Sequence, residues 1–266
     1  MDLGLADRRV LVTGAAGGIG TAICRLLAAE GARIAVHHRS RREAAQALAH
    51  EVGGVAVHAD LRDANDTEAM VAAAVAGLGG LDAVVANAGV WPTPPTPLWE
   101  LDVDRWRDTV ETDLTGTFLT VRAFLRHVSE RSAADVAPSV VLVGSTAGRF
   151  GEAGHADYAA AKSGVQVGLL ASLKNEIVRL HPAARANAVA PGWTVTPMTA
   201  DTLDEATRRR ATATVPLDKV ATVDDVAHAT VWLLSERVAG HVTGEVITVG
   251  GGMEGRLVNP RVGIDD

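Results

Sequence analysis

Val10-Leu11-Val12-Thr13-Gly14-Ala15-Ala16-Gly17-Gly18-Ile19-Gly20 runs from a short apolar stretch through a glycine-rich turn into a segment with helical spacing. Glycines 14, 18 and 20 stand in a G-x3-G-x-G pattern. Without side chains, the backbone turns tightly and can approach a pyrophosphate. The N–H groups that open the next helix lack intrahelical partners and carry positive partial charge. Surface turns are also rich in glycine, so the pattern alone says little. Its place between a first strand and a first helix predicts a nucleotide cradle, with Gly14, Ala16, Gly18, Ile19 and Gly20 as contacts.

The same alternation continues along the chain. Apolar runs at 10–12, 34–36, 55–57, 83–85, 140–143, 186–190 and 246–249 lack a polar face, as parallel strands covered on both sides do. Between them, Ile19, Ile23, Leu26 and Leu27 share one helical stripe, and 64–78, 103–130, 157–180 and 223–234 have helical spacing. This predicts an α/β, Rossmann-type doubly wound, mostly seven-stranded parallel sheet with helices on both faces and right-handed crossovers. No linker or charge block divides the chain. Residues 1–252 are therefore expected to form a single nucleotide-binding domain, with 253–266 as a C-terminal tail. The loops 91–97 and 193–218 leave carboxyl ends of strands, where such sheets bind ligands.

Composition narrows the setting. Of 266 residues 47% are apolar, enough for a sizeable core, and 25 Lys+Arg against 32 Asp+Glu give a net charge of −7. That balance argues against nucleic acid and anionic membranes as partners. Cys24 is the single cysteine, which fits a reducing compartment. The first residues have neither the basic start nor the apolar run of a signal peptide, and no stretch approaches about 18 uninterrupted apolar residues. The expectation is a cytoplasmic globular protein.

The end of the second strand bears on cofactor choice. A carboxylate about 20 positions after the glycines would bind a ribose 2′-hydroxyl. Here the chain reads His37-His38-Arg39-Ser40-Arg41-Arg42 instead. Arginines at a helix start oppose its dipole, and a bound 2′-phosphate would compensate them. NADP(H) is therefore preferred over NAD(H), with His38, Arg39 and Ser40 as contacts. Asp60 and Leu61 follow the third strand; Asp60 either receives an adenine amino group or caps the next helix.

Tyr158 is the only tyrosine, and Lys162 lies four residues later on the same helical face. A neighbouring ammonium is expected to lower the phenol from about 10 toward neutrality, making it a proton donor and acceptor. Ser145, at the end of the fifth strand, brings a hydroxyl within reach of a substrate oxygen. No histidine or cysteine has metal-ligand spacing, and no metal is expected.

The glycine turn, Ser145 and Tyr158-x-x-x-Lys162 together resemble the short-chain dehydrogenase/reductase family over roughly residues 5–252. Asn87-Ala88-Gly89 is similar to that family's motif after strand four, which faces the cofactor. The segment Pro191-Gly192-Trp193-Thr194-Val195-Thr196 is similar to the one that embraces the nicotinamide, through Pro191, Gly192, Thr194 and Thr196. Asp113 stands where the family usually carries asparagine, whose backbone carbonyl helps hold a relay water. A carboxylate here would favour protonated Lys162 and change the pH profile. The resemblance implies hydride transfer between NADP(H) and a small carbonyl or alcohol substrate. Ser145 would bind the oxygen and Tyr158 would act as general acid/base. Lys162 would hold the nicotinamide ribose, and Tyr158 and Lys162 would both touch the cofactor. Two alternatives are a 3-oxoacyl thioester (acyl-carrier-protein) reductase and a non-catalytic NADP-sensing module. Apolar residues on more than one face of 157–180 predict a homotetramer or homodimer.

Trp91, Phe150, Trp193 and Met198 are further pocket candidates, whereas Trp99, Trp106 and Trp232 are expected to pack. His155 reads as a loop histidine, Arg208-Arg209-Arg210 as a solvated helix face, and Cys24 as core.

Overall fold

The strands form where β-branched residues cluster between turns. They are β1 (Arg9–Val12), β2 (Arg33–His38), β3 (Val55–His58), β4 (Ala83–Ala86), β5 (Ser139–Val143), β6 (Arg185–Pro191) and β7 (Val246–Val249). The structure, a computed structural model, describes residues 2–132, 136–199 and 204–253. The seven strands make one sheet in the order β3-β2-β1-β4-β5-β6-β7, and every pairing is parallel. The expected tail, 253–266, lies outside the described residues apart from Met253.

Alternate strand residues enter two separate cores, which is why the runs lack a polar face. Leu11, Val84, Val140 and Leu142 meet Met70, Phe124, Val165 and Leu173 on one side. Val10, Val12, Val85 and Val141 meet Ile23, Leu27, Val226 and Val231 on the other. The helices are α1 (Gly18–Ala29), α2 (Arg42–Glu51), α3 (Ala64–Leu78), α4 (Val103–Val110), α5 (Gly116–Ser129), α6 (Ala147–Phe150), α7 (Ala156–Ser163), α8 (Leu170–Glu176), α9 (Glu205–Thr212), α10 (Val223–Leu234) and α11 (Glu236–Ala239), of which α3, α5 and α8 supply the first core and α1, α2 and α10 the second. Cys24 is buried in the second core, and burial pushes its thiol up to about 12.

Several boundaries reflect local chemistry. Asp63 caps α3 by accepting the N–H groups of Asn65 and Asp66 at 2.7 and 3.0 Å. Thr222 and Asp225 form a reciprocal capping box at the start of α10. Asp60, offered above as an alternative cap, is instead gripped by the Arg62 guanidinium at 2.6 Å.

The segments 103–130 and 157–180 are not uninterrupted helices. π-helical turns, Glu111–Thr115 and Gly164–Leu169, break them. Each extra residue per turn shifts the phase of the side chains that follow, a change that an averaged apolar periodicity conceals. Trp99 and Trp106 also depart from expectation. Trp99, in a turn before α4, is 84% exposed, and Trp106, within α4, is 38% exposed. Trp232 does pack against the core.

The order of the sheet positions the site. The chain winds outward in both directions from the adjacent pair β1 and β4, so the loops at their carboxyl ends diverge and leave a crevice.

Candidate active site

The crevice is a cavity of about 470 Å³. Its first wall is the glycine turn. Gly14 has φ +60°, and a Cβ there would lie 2.8 Å from the Ala88 Cα. One at Gly20 would meet the Gly14 oxygen at 2.5 Å. Both positions therefore require glycine. The turn is braced from beneath. The Gly14 N–H donates to His37 Nδ1 at 3.0 Å, while His37 Nε2 faces the Ala59 oxygen at 3.1 Å. The imidazole therefore carries its proton on Nε2. Burial pushes its pKa down to about 4. The Asn87 amide donates to the carbonyls of Thr13 and Gly14 at 2.9 and 3.2 Å, tying β4 to the turn.

The predicted cofactor contacts converge here. Gly14, Ala16, Gly18, Ile19, Gly20, His38, Arg39, Ser40, Asp60, Leu61, Asn87, Ala88, Gly89, Pro191, Gly192, Thr194 and Thr196 all line the cavity. Arg39, Ser40 and Arg41 cluster at its β2 end. His38 Nδ1 there is buried with no hydrogen-bond partner. Asp60 is held well below the usual carboxylate range by Arg62. A cradle that a Cβ would fill at the start of α1 suits the pyrophosphate of a dinucleotide.

Ser145, Tyr158 and Lys162 line the same cavity. The Ser145 backbone N–H donates to Gln166 Oε1 at 2.8 Å, and its Oγ accepts the Ala147 N–H at 3.1 Å. Gln166 lies in the second π turn. A Cβ at Gly144 would sit 2.0 Å from that Oε1, so glycine there admits the glutamine. Lys162 Nζ is 5.7 Å from the Tyr158 ring centroid and donates to the Val143 oxygen at 3.1 Å.

Asp113 does not line the cavity. It is buried behind Gly89, in the first π turn. Its Oδ1 accepts the Val90 N–H at 2.8 Å, its Oδ2 is 3.5 Å from Lys162 Nζ, and its backbone oxygen accepts the Thr117 hydroxyl at 2.7 Å. Desolvation raises the Asp113 carboxyl, with Lys162 opposing it. Lys162 is raised: the carboxylate of Asp113 and the phenol outweigh the burial that would lower it.

The expected lowering of the Tyr158 phenol is not found. Burial raises it above its ordinary value, Lys162 and Ser145 pull it down, and Asp113 and Glu152 push it up. Taking a phenol out of water disfavours the phenolate by more than one ammonium restores, when that ammonium is shared with a carboxylate.

A sequence profile described as Enoyl-(Acyl carrier protein) reductase matches residues 14–254. Cis-4-hydroxycyclohexanecarboxylate dehydrogenase of Sinomonas cyclohexanicum is 38% identical over 253 residues, covering 93% of this chain and 96% of that protein. The chain belongs to the short-chain dehydrogenase/reductase family. L-rhamnose 1-dehydrogenase (NAD(P)(+)) of Azotobacter vinelandii is 36% identical, with 94% and 97% of the two chains covered. A 3-oxoacyl-[acyl-carrier-protein] reductase of Staphylococcus aureus is 34% identical, with 92% and 98% covered. The chain is thus an oxidoreductase of this family.

Among its short-chain dehydrogenase/reductase features, the substrate end is the least predictable. Trp91, Trp193 and Met198 line the cavity as expected, and Phe150 does not: it turns outward beneath the Arg149 guanidinium. His155 lies in the loop before α7, as expected. It is buried, at the N-cap of α7, and stacks on Trp91 at 4.4 Å. Glu152 and Gln166 escaped sequence reasoning, because neither belongs to a motif and both act through loop or π-turn geometry. Asp157 also escaped it. Fully buried, it is held by Arg105 at 2.9 Å and Thr109 at 3.0 Å, which locks α4 against the helix that carries Tyr158. Arg209 and Arg210 are exposed on α9, as expected. Among the described residues no group of three or more metal-ligating side chains occurs, and no helix is long and apolar enough to cross a membrane.

Proposed function

We propose that this chain is an NADP(H)-dependent enzyme interconverting a ketone or aldehyde and an alcohol, as a cytoplasmic homotetramer or homodimer whose 1–252 unit is one domain. The observation that carries the reading is the convergence of Ser145, Tyr158 and Lys162 on one cavity with the glycine turn and the Arg39–Ser40–Arg41 cluster. A nicotinamide bound in the cradle supplies or accepts the hydride. Ser145 Oγ hydrogen-bonds the substrate oxygen, its position fixed by Gln166 and the Ala147 N–H. Tyr158 donates the proton to that oxygen in reduction and takes it in oxidation. Burial holds the phenol above its ordinary value, so it rests as the proton donor that carbonyl reduction needs. Lys162 remains protonated, stabilises phenolate formed during turnover, and, with two of its three N–H groups directed at the Val143 oxygen and Asp113, offers the third to a ribose hydroxyl.

A carbonyl and alcohol panel with each cofactor tests the reading. Tyr158→Phe keeps the ring and removes the proton, so turnover should fall by about 10² or more with NADPH binding nearly unchanged. Retained turnover would remove Tyr158 from the chemistry. A 3-oxoacyl thioester reductase is the second reading, favoured by the Staphylococcus aureus relative. Turnover of a 3-oxoacyl thioester in preference to simple ketones would establish it.

A further inference from the structure

The cavity is electrically divided. Arg39, Arg41 and Arg62 line its β2–β3 side. Lys162, near its centre, is tied to Asp113 and the Val143 oxygen. Beyond Tyr158, the walls come from loops that follow β4, β5 and β6: Val90 and Trp91, then Glu152, then Trp193 and Met198. Among the described lining residues this end has no cation. Its one carboxyl is Glu152, raised by burial with the Trp91 indole N–H opposing the rise.

Glu152 is held in place. Its Oε1 accepts the Trp91 indole N–H at 3.2 Å. Trp91 is in turn clamped, stacked on His155 with 17° between the rings and edge-on to Trp193 at 5.7 Å. His155 Nδ1 lies 3.4 Å from the same Oε1. Burial lowers the imidazole, so it is neutral at pH 7 and does not pair the carboxylate. Among the described residues Oε2 accepts no hydrogen bond. Glu152 also contributes to raising the Tyr158 phenol, which sets its charge beside the reacting end of the cavity.

We infer that Glu152, Trp91 and Trp193 form a substrate subsite for an uncharged ring alcohol bearing a second hydroxyl. The second hydroxyl donates to Glu152 Oε2, and an apolar ring face lies against the indoles. A carboxylate accepts from a hydroxyl without needing a counter-charge, and rigid indoles bind a saturated ring face at low entropic cost. An anionic group on the same ring meets the Glu152 charge with no nearby cation to relieve it. The inference rests on the ketone–alcohol reading above for which end of the cavity takes substrate.

The test uses the full chain with NADP and four probes: cyclohexanol, 1,3-cyclohexanediol, 3-hydroxycyclohexanecarboxylate and 3-aminocyclohexanol. Binding is followed by calorimetry and by tryptophan fluorescence, with oxidation measured separately. The diol should bind about 10-fold or more tighter than cyclohexanol, and the carboxylate more weakly than either. Glu152→Gln keeps an acceptor and the Trp91 contact but removes the charge. It should improve carboxylate binding by about 10-fold. Glu152→Ala should erase the preference for the diol. A diol no better than cyclohexanol would overturn the subsite, as would unchanged rejection of the carboxylate by Glu152→Gln. An amine bound more tightly than the diol would overturn the uncharged class in favour of a cation. The predicted binding order without oxidation of any probe sinks the redox reading and leaves the subsite standing.

Discussion

Asp113→Asn isolates the buried charge beside Lys162. The side chain keeps its size and can still accept the Val90 N–H, 2.8 Å away, but it loses the charge 3.5 Å from Lys162 Nζ. Two unit charges at that separation attract by about 5 kcal/mol at an effective dielectric of about 20. Desolvation of two buried ions offsets most of this. The same charge opposes ionisation of Tyr158 from farther away. A residual effect of about 1.4 kcal/mol corresponds to about one pH unit. Removing it lowers the phenol. The alkaline limb of carbonyl reduction, which needs Tyr158 protonated, and the acid limb of alcohol oxidation, which needs it ionised, should both move down by about one unit. The assay is kcat/KM against pH in both directions for the natural chain and the variant. These limbs report the coupled Tyr158–Lys162–Asp113 unit. Asp113 protonated at neutral pH would leave both limbs in place. Unmoved or upward-moving limbs would refute the argument that its charge holds the phenol up.

Three further outcomes follow from the geometry. Arg39→Asp removes a charge-assisted contact to a 2′-phosphate, costing about 1.5–3 kcal/mol, and should shift preference toward NADH by about 10-fold or more; a natural chain already faster with NADH would contradict the cofactor assignment. His37 has a folded pKa of about 4 against 6.5 for the free side chain, so the unfolded chain binds its proton first. Stability should therefore decline as pH falls from about 6.5 to about 4, by up to ~3 kcal/mol; chemical denaturation across that range measures it, and His37→Asn should flatten this part of the slope. Trp99, Val103, Phe118 and Val167 are large exposed apolar residues on or beside α4, α5 and the second π turn, a surface that a partner subunit would cover. Light scattering should give about 55 or 110 kDa, two or four times the 27.6 kDa chain, and a fully active monomer would exclude the assembly.

What was legible in the sequence follows a physical division. The doubly wound sheet could be read because its strands are covered on both faces, so each appears as an unbroken apolar run. Gly14 and Gly20 were legible because backbone approaches within 3 Å exclude every side chain. Tyr158 and Lys162 were legible because i, i+4 spacing places them together whatever surrounds the helix. Other features depend on long-range geometry that no local pattern encodes. Glu152 meets Trp91 across 61 residues, and Asp157 meets Arg105 across 52.

The two π turns show why the remaining part of the site escaped reading. Each interrupts a segment whose apolar spacing looks like one continuous helix, and each delivers a buried polar side chain to the reaction centre. Asp113 comes from the first turn and reaches Lys162; Gln166 comes from the second and fixes the backbone of Ser145. In a regular α-helix the phase of the apolar stripe is kept from one turn to the next. The wide turn uncouples the two, so the helix can remain packed on the sheet while one polar residue points inward. Gly144, directly against Gln166, shows that the accommodation is mutual, since any side chain there would collide with the amide. The local cost of an irregular turn is therefore tied to positioning two of the three groups that would handle the substrate's oxygen and its proton.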